Sequence, residues 1–227
     1  MDFSVLGPLE VRDDAGRVVP LASARERALL IFLLLHENEV VSVDQLIDVM
    51  WGPRRPGSAG KAVPKNVSHP RHLLDPGVRR GEYRRLLTRP TGYLLRVERG
   101  ELDRHRFEGL LGQAQMEHDP TASLALLRAA LDVWRGPPLQ DAAEMQAVKP
   151  EISRLEELHL STVCARIDTE LRLGLHANVV AELEALIVRH PLRDDLRDRL
   201  ELALDRSGRY SEALQVRRRS SSQLVGA

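Results

Sequence analysis

The amino-acid sequence predicts a mainly α fold with a small β component, an N-terminal winged helix-turn-helix followed by a TPR-like all-helical domain. Three observations lead there. Residues 1–98 mix short strand-like runs with three helical segments and close on a hairpin signal. From residue 102 onward the strand signals vanish and six amphipathic helical segments follow one another to the C-terminal end, which sets the second domain at 102–227. Between residues 51 and 96 eleven cationic side chains stand against two acidic ones, in a chain whose formal charge is zero.

Each element has a local cause. Phe3-Ser4-Val5-Leu6-Gly7-Pro8-Leu9-Glu10-Val11 and Arg17-Val18-Val19-Pro20-Leu21, divided by Asp13-Asp14-Ala15-Gly16, read as short edge-type strands and a polar turn. Ser23 with Glu26 three residues on marks the start of a first helix that runs to about His36. That helix is apolar almost all round in its second half, as a central buried helix must be. Asn38-Glu39 form a turn, and Ser42 with Gln45 opens a second helix that ends at Gly52-Pro53. A loop rich in Arg, Pro and Gly leads to a weaker helical segment at residues 61–74. Leu86-Leu87-Thr88-Arg89, the turn Pro90-Thr91-Gly92 and Tyr93-Leu94-Leu95-Arg96-Val97 read as a hairpin, the wing.

The second part reads as helices at residues 104–116, 121–134, 150–173, 177–190, 192–206 and 210–224, separated by Asp119-Pro120, Gly136-Pro137-Pro138, Gly174, Pro191 and Gly208. Gly174 and Gly208 lie 34 residues apart, each between two helices, which matches the tetratricopeptide period although its diagnostic aromatic positions are largely missing. A helical solenoid follows, whose last repeat near Gly226-Ala227 lacks a polar capping helix.

Composition bounds the function. The chain has 227 residues and 43% apolar content, enough for two cores. Cys164 is the only cysteine, so no internal disulfide forms; it reads as a small core residue of a chain kept in a reducing cytoplasm. The longest apolar run, residues 28–35, is too short to span a bilayer, and no signal peptide is evident, so no membrane partner is expected. Residues 1–50 hold four cations against nine acids. The positive field is therefore local to the segment that follows, as expected of a surface that meets phosphates, with an Arg-rich solvated loop as the competing reading.

The stretches Val5-Leu6-Gly7-Pro8-Leu9-Glu10-Val11, Arg27-Ala28-Leu29-Leu30, Val40-Val41-Ser42-Val43-Asp44-Gln45-Leu46-Ile47 through Trp51-Gly52, Leu87-Thr88-Arg89-Pro90-Thr91-Gly92-Tyr93-Leu94-Leu95, Glu101-Leu102-Asp103 through Phe107, and Trp134-Arg135-Gly136-Pro137-Pro138-Leu139 carry a resemblance. In this order they are similar to the Streptomyces antibiotic regulatory proteins, activators with an OmpR-type winged helix and a bacterial transcriptional activation domain. The resemblance implies binding to promoter direct repeats on double-stranded DNA, side-by-side protomers forming a homodimer there, and recruitment of RNA polymerase holoenzyme to an antibiotic biosynthetic gene cluster. No cofactor is implied.

In such proteins the third helix enters the major groove, and it maps here to about residues 63–74. Lys61 and Lys65 are placed to reach phosphates, and Asn66, Ser68, His69, Arg71 and His72 to reach base edges, since Asn suits adenine and Arg guanine. For each of these an exposed side chain touching only solvent or phosphate is the alternative. Arg89, Thr91 and Tyr93 sit in or beside the wing, where a cation and hydroxyls meet the DNA backbone or a minor-groove edge. Arg25 and Arg27 begin the first helix and add either phosphate contacts or structure. Arg79, Arg80, Arg84 and Arg85 fall in the loop before the wing and serve either DNA or polymerase.

The sequence departs from the family at Pro64 and Pro70, where a polar residue and a Leu are usual. Pro70 removes the amide that bonds to Asn66 and costs roughly 3 kcal/mol in a helix interior. A third helix kinked or broken near His69, with weakened base readout, is the expectation, and it motivates a second reading, a protein-interaction scaffold of the same fold. An enzyme is not expected. The chain has no glycine-rich phosphate loop, His69 and His72 lack Cys or carboxylate neighbours in sequence for a metal site, and no nucleophile stands beside a base. Trp51 and Trp134 read as core anchors, and Glu156-Glu157 as a solvated face.

Overall fold

The structure is a computed structural model that describes residues 1–79 and 81–224. The described residues form two compact units, one drawn from residues 1–109 and 132–158, the other from residues 110–131 and 159–224.

The first unit opens with β1 (Asp2–Ser4) and β2 (Glu10–Arg12), an antiparallel pair. The strand expected at residues 17–21 is reduced to a single bridge between Arg12 and Val18. Val19 still donates to the Val11 carbonyl at 2.8 Å, but Pro20 has no amide to carry the ladder on. Beyond β1 the chain is anchored by Asp103, whose carboxylate accepts the amides of Val5 and Leu6 at 2.9–3.0 Å. Burial pushes that carboxyl up from its ordinary range against the pull of those two amides. The Trp134-Arg135-Gly136-Pro137-Pro138-Leu139 segment completes the anchor. Arg135 and Leu139 donate their amides to the carbonyls of Leu6 and Val5, each at 2.8 Å. Gly7 is required there: its φ is 149°, and a Cβ on it would lie 3.0 Å from the Arg135 Cβ.

Helix α1 (Ala24–Leu35) starts on Ser23, whose hydroxyl accepts the Glu26 amide at 3.2 Å. The capping box is only half formed, because the Glu26 carboxylate accepts from Ala22 rather than returning to Ser23. Ala28 to Leu34 are buried without interruption, so α1 is the central helix expected. Asn38 turns the chain with φ 62°, and its side chain exchanges two hydrogen bonds with the Val97 backbone, at 3.0 and 3.1 Å. β3 (Val41–Ser42) leads into α2 (Val43–Trp51), whose Ser42 and Gln45 form the complete capping box.

Helix α3 (Ala59–Leu74) is continuous through both prolines, so of the kinked or broken helix expected near His69 the break is corrected. Val63, Val67, Pro70 and Leu74, spaced four, three and four apart, are all buried. Burying the three large aliphatic side chains contributes about 1.5–3 kcal/mol each, the same size as the roughly 3 kcal/mol cost of each proline. The Pro70 ring is itself part of the buried stripe. Local sterics therefore disfavour the helix, and the core against which it docks restores it.

β4 (Leu86–Arg89) and β5 (Gly92–Leu95) form the wing hairpin, and β3 joins it in the order β3-β5-β4. Gly92 faces Ser42 and Val41 across the β3-β5 pairing; a Cβ there would lie 1.9 Å from the Val41 carbonyl oxygen.

The remaining helices are α4 (Asp103–Met116), α5 (Pro120–Leu131), α6 (Lys149–Arg172), α7 (His176–Arg189), α8 (Asp194–Arg206) and α9 (Tyr210–Leu224), each within three residues of its expected ends. In the second unit Gly174 and Gly208 adopt φ of 80° and 78°. The residue after each donates its amide five residues back, Leu175 to Glu170 and Arg209 to Leu204, each at 2.9 Å. Identical helix stops 34 residues apart are the structural form of the repeat read from the sequence. The core holds Ile167, Val179, Leu183, Leu196 and Ala203, and Cys164 lies among them, its thiol pushed up by burial. Gly226-Ala227 lie outside the described residues. Among those described, no helix is long and apolar enough to cross a membrane.

Two substitutions test this account by urea unfolding of the full chain. Gly92→Ala forces β3 and β5 apart and is expected to lower stability by about 1–3 kcal/mol. Pro64→Ala, on the exposed side of α3, returns an amide to the Gly60 carbonyl and is expected to raise stability by about 1–3 kcal/mol. Unchanged midpoints would refute both.

Candidate nucleic-acid interface

The buried stripe of α3 determines its outward face. Two residues along a helix turn the direction by about 200°, so the stripe starting at Val63 is opposed by one starting at Lys61. Lys61, Lys65, Ser68 and His72 follow the same spacing, and all four are exposed. His72 is engaged by the Tyr83 hydroxyl at 3.1 Å, which leaves Lys61, Lys65 and Ser68 as the open row.

Three other α3 side chains expected at base edges are engaged by groups of the protein itself. Asn66 donates its amide to the Ala62 carbonyl at 2.9 Å, a bond within its own helix. His69 Nδ1 lies 3.0 Å from the Glu26 carboxylate of α1. Arg71 donates Nε to the Leu86 carbonyl at 2.8 Å and Nη2 to the Thr88 hydroxyl at 2.9 Å. Its guanidinium also lies over the Tyr83 and Tyr93 rings, at 5.0 and 5.7 Å from their centres.

At the wing, Arg89 and Thr91 are exposed at the tip, while Tyr93 is 7% exposed and serves as a packing surface. On α1, Arg25 is exposed over the Trp51 ring at 5.7 Å, and Arg27 is paired with Asp141 at 3.1 Å. In the loop before the wing, Arg79 and Arg84 are exposed. Arg80 lies outside the described residues. Asp75, buried just past α3, accepts the amides of Arg84 and Arg85 at 2.8 and 2.9 Å and so shapes the loop. Arg85 is a structural cation: it makes two 2.8 Å bonds to the Glu101 carboxylate. Burial pushes that carboxyl up, but the Arg85 bonds and the Glu98 amide outweigh it and bring it down to about 2.

Lys61, Lys65, Arg79, Arg84 and Arg89 are thus exposed cations without a carboxylate partner among the described residues. Ser68 and Thr91 stand among them as neutral donors and acceptors. The residues that sequence inspection did not find are the acids and hydroxyls that engage the others: Glu26, Asp75, Glu101, Asp141, Tyr83 and Thr88. Glu26 carried a signal as a helix cap, and Thr88 and Glu101 lie in stretches that carry the family resemblance. Among the described residues no cluster of His, Cys, Asp and Glu is arranged to hold a metal ion.

Two families match the chain, "Bacterial transcriptional activator domain" over residues 102–226 and "Transcriptional regulatory protein, C terminal" over residues 16–95. The chain is 39% identical to the regulatory protein AfsR of Streptomyces coelicolor, over 94% of its own length and 21% of that protein. It is 35% identical to the regulatory protein DnrI of Streptomyces peucetius, over 95% of its own length and 82% of the relative. Its fold is similar to that of Mycobacterium tuberculosis EmbR, solved in complex with a low affinity phosphopeptide, with a TM-score of 0.89 and 33% identity over 99% of this chain and 60% of that one. The chain therefore spans about a fifth of AfsR and less than two thirds of EmbR.

The Arg85–Glu101 pair makes a pH prediction. A carboxyl held at about 2 in the folded chain, against an ordinary 4.5, adds stability that is complete above pH 4.5 and is lost as pH falls towards 2. Glu101→Gln is expected to cost stability at pH 7 and to flatten the acid limb between those values, measured by urea unfolding at a series of pH values. A parallel acid limb in parent and variant would contradict the pairing.

Proposed function

This chain belongs to the Streptomyces antibiotic regulatory family of transcriptional activators, and from that premise we propose that it binds specific promoter DNA through α3 and the wing. The observation that carries the proposal is the exposed Lys61, Lys65 and Ser68 row directly opposite the buried stripe of α3. A helix seated by one face presents the other to a groove, and the major groove admits one helix. Lys61 and Lys65 then reach guanine O6 and N7 or flanking phosphates, and Ser68 a base edge of either kind. Arg89 and Thr91 take the adjacent backbone, which orients the protein without reading sequence.

DNA contact falls to residues 1–98 and activation to residues 102–227. Arg79 and Arg84 present a second basic surface in the loop before the wing, suited to an acidic patch of RNA polymerase. The sites are direct repeats occupied by side-by-side protomers, and the regulated genes are those of a secondary-metabolite cluster. The continuity of α3 through Pro64 and Pro70 means that a broken recognition helix no longer supports the alternative, a protein-interaction scaffold of the same fold.

Mobility-shift titration against promoter duplexes of neighbouring genes, at two salt concentrations, tests the proposal. Specific binding at least about a thousandfold tighter than to unrelated duplex is expected. Lys61→Ala and Lys65→Ala are each expected to reduce the slope of log affinity against log salt by about one. Uniformly weak binding to every sequence, or slopes unmoved by both substitutions, would overturn it.

A further inference from the structure

We infer that Arg71 is the positioning residue that sets the wing against the recognition helix, so that both engage one duplex in register. The inference rests on the DNA-binding reading above and assigns Arg71 no base of its own.

The geometry begins with the hairpin ladder. The Arg96 amide donates to the Arg85 carbonyl at 2.8 Å, and bonding alternates along an antiparallel pair. The Leu86 carbonyl, one residue on, therefore points away from β5, towards the open edge of the sheet, since β4 is its outermost strand. Arg71 Nε meets that carbonyl, and Nη2 of the same fork reaches the Thr88 hydroxyl two residues along the strand. Thr88 stands opposite Tyr93 in the register, and the Tyr93 ring lies under the guanidinium. One planar cation thus contacts the β4 backbone, a β4 side chain and a β5 ring, while its Cα belongs to α3.

No other side chain reproduces this. Lysine keeps the charge but replaces a rigid fork with a single rotating ammonium, and it cannot stack flat on a ring. Glutamine loses the charge and the reach. Beyond Thr88 the strand leads directly to Arg89 and the tip. A shift of the tie is passed to the wing-tip contacts, while the Lys61, Lys65 and Ser68 row keeps its seat.

The experiment uses the full chain and a duplex that the parent recovers from a randomised pool. Arg71→Gln and Arg71→Lys are both expected to weaken binding by about tenfold, with the order of preference at every base position unchanged. Combining Arg71→Gln with Arg89→Ala is expected to lose much less than the product of the two single losses, because both disable the same wing contact. Thr88→Val, which removes only one acceptor, gives a smaller loss of the same pattern and serves where Arg71→Gln does not fold by circular dichroism. Without DNA, amides at positions 86–95 exchange faster in Arg71→Lys than in the parent. A loss confined to one base position, near-parental binding by Arg71→Lys, multiplicative losses with Arg89→Ala, or unchanged amide exchange each overturns the positioning role. If the parent recovers no preferred duplex, the DNA-binding reading itself fails, and the positioning role with it, even where amide exchange shows the tie to be real.

Discussion

The seating of α3 by Val63, Val67, Pro70 and Leu74 is the constraint on which the rest of the first unit depends. A helix with one apolar stripe has a single way to lie on a core, and that choice orients every other side chain it carries. It also explains how two interior prolines are tolerated. Each removes a backbone hydrogen bond, but neither can rotate the helix out of a seat stabilised along about three turns. Pro70 contributes to that seat instead of opposing it, since it is buried with its neighbours.

With the orientation set, the basic segment divides by task. Some of its cations are engaged by carboxylates or by backbone and are part of the framework: Arg85 by Glu101, Arg71 by β4. The acids that shape the segment work from a distance in sequence. Glu26 reaches His69 across 43 positions, and Asp75 holds the backbone beneath Arg84 and Arg85. The cations left exposed, on α3, in the loop before the wing and at the wing tip, are the ones that add to the field a phosphate backbone would meet. Counting charge along the sequence measures the sum of both classes, whereas binding depends on the second alone.

The family motifs acquire physical meaning in the same way. Gly7 and the Arg135 to Leu139 backbone approach so closely that a side chain at Gly7 has no room. Asp103 satisfies two amides that leave β1 without a strand partner. In the second unit the paired glycines at 174 and 208 stop their helices with the same five-residue bond, so the repeat is a repeated way of ending a helix.

Much was legible from residues alone because its causes are local. Ser23 and Ser42 start helices through their own hydroxyls, Gly174 and Gly208 end them through their φ angles, and the apolar run of α1 marks a buried helix wherever it is placed. The hairpin around Pro90-Thr91-Gly92 is likewise a short-range matter. The roles of Asn66, His69 and Arg71 were not legible. Each has the chemistry of a base reader, and each is taken up by a partner, two of them by groups 15 to 43 positions away. The continuity of α3 was misjudged for the same reason, since the proline penalty is local and the burial that offsets it is not. Sequence by itself determined most of the elements and what chemistry they carry. Tertiary packing alone decided which face of α3 is open, because the direction of a side chain on a helix is set by what the opposite side buries.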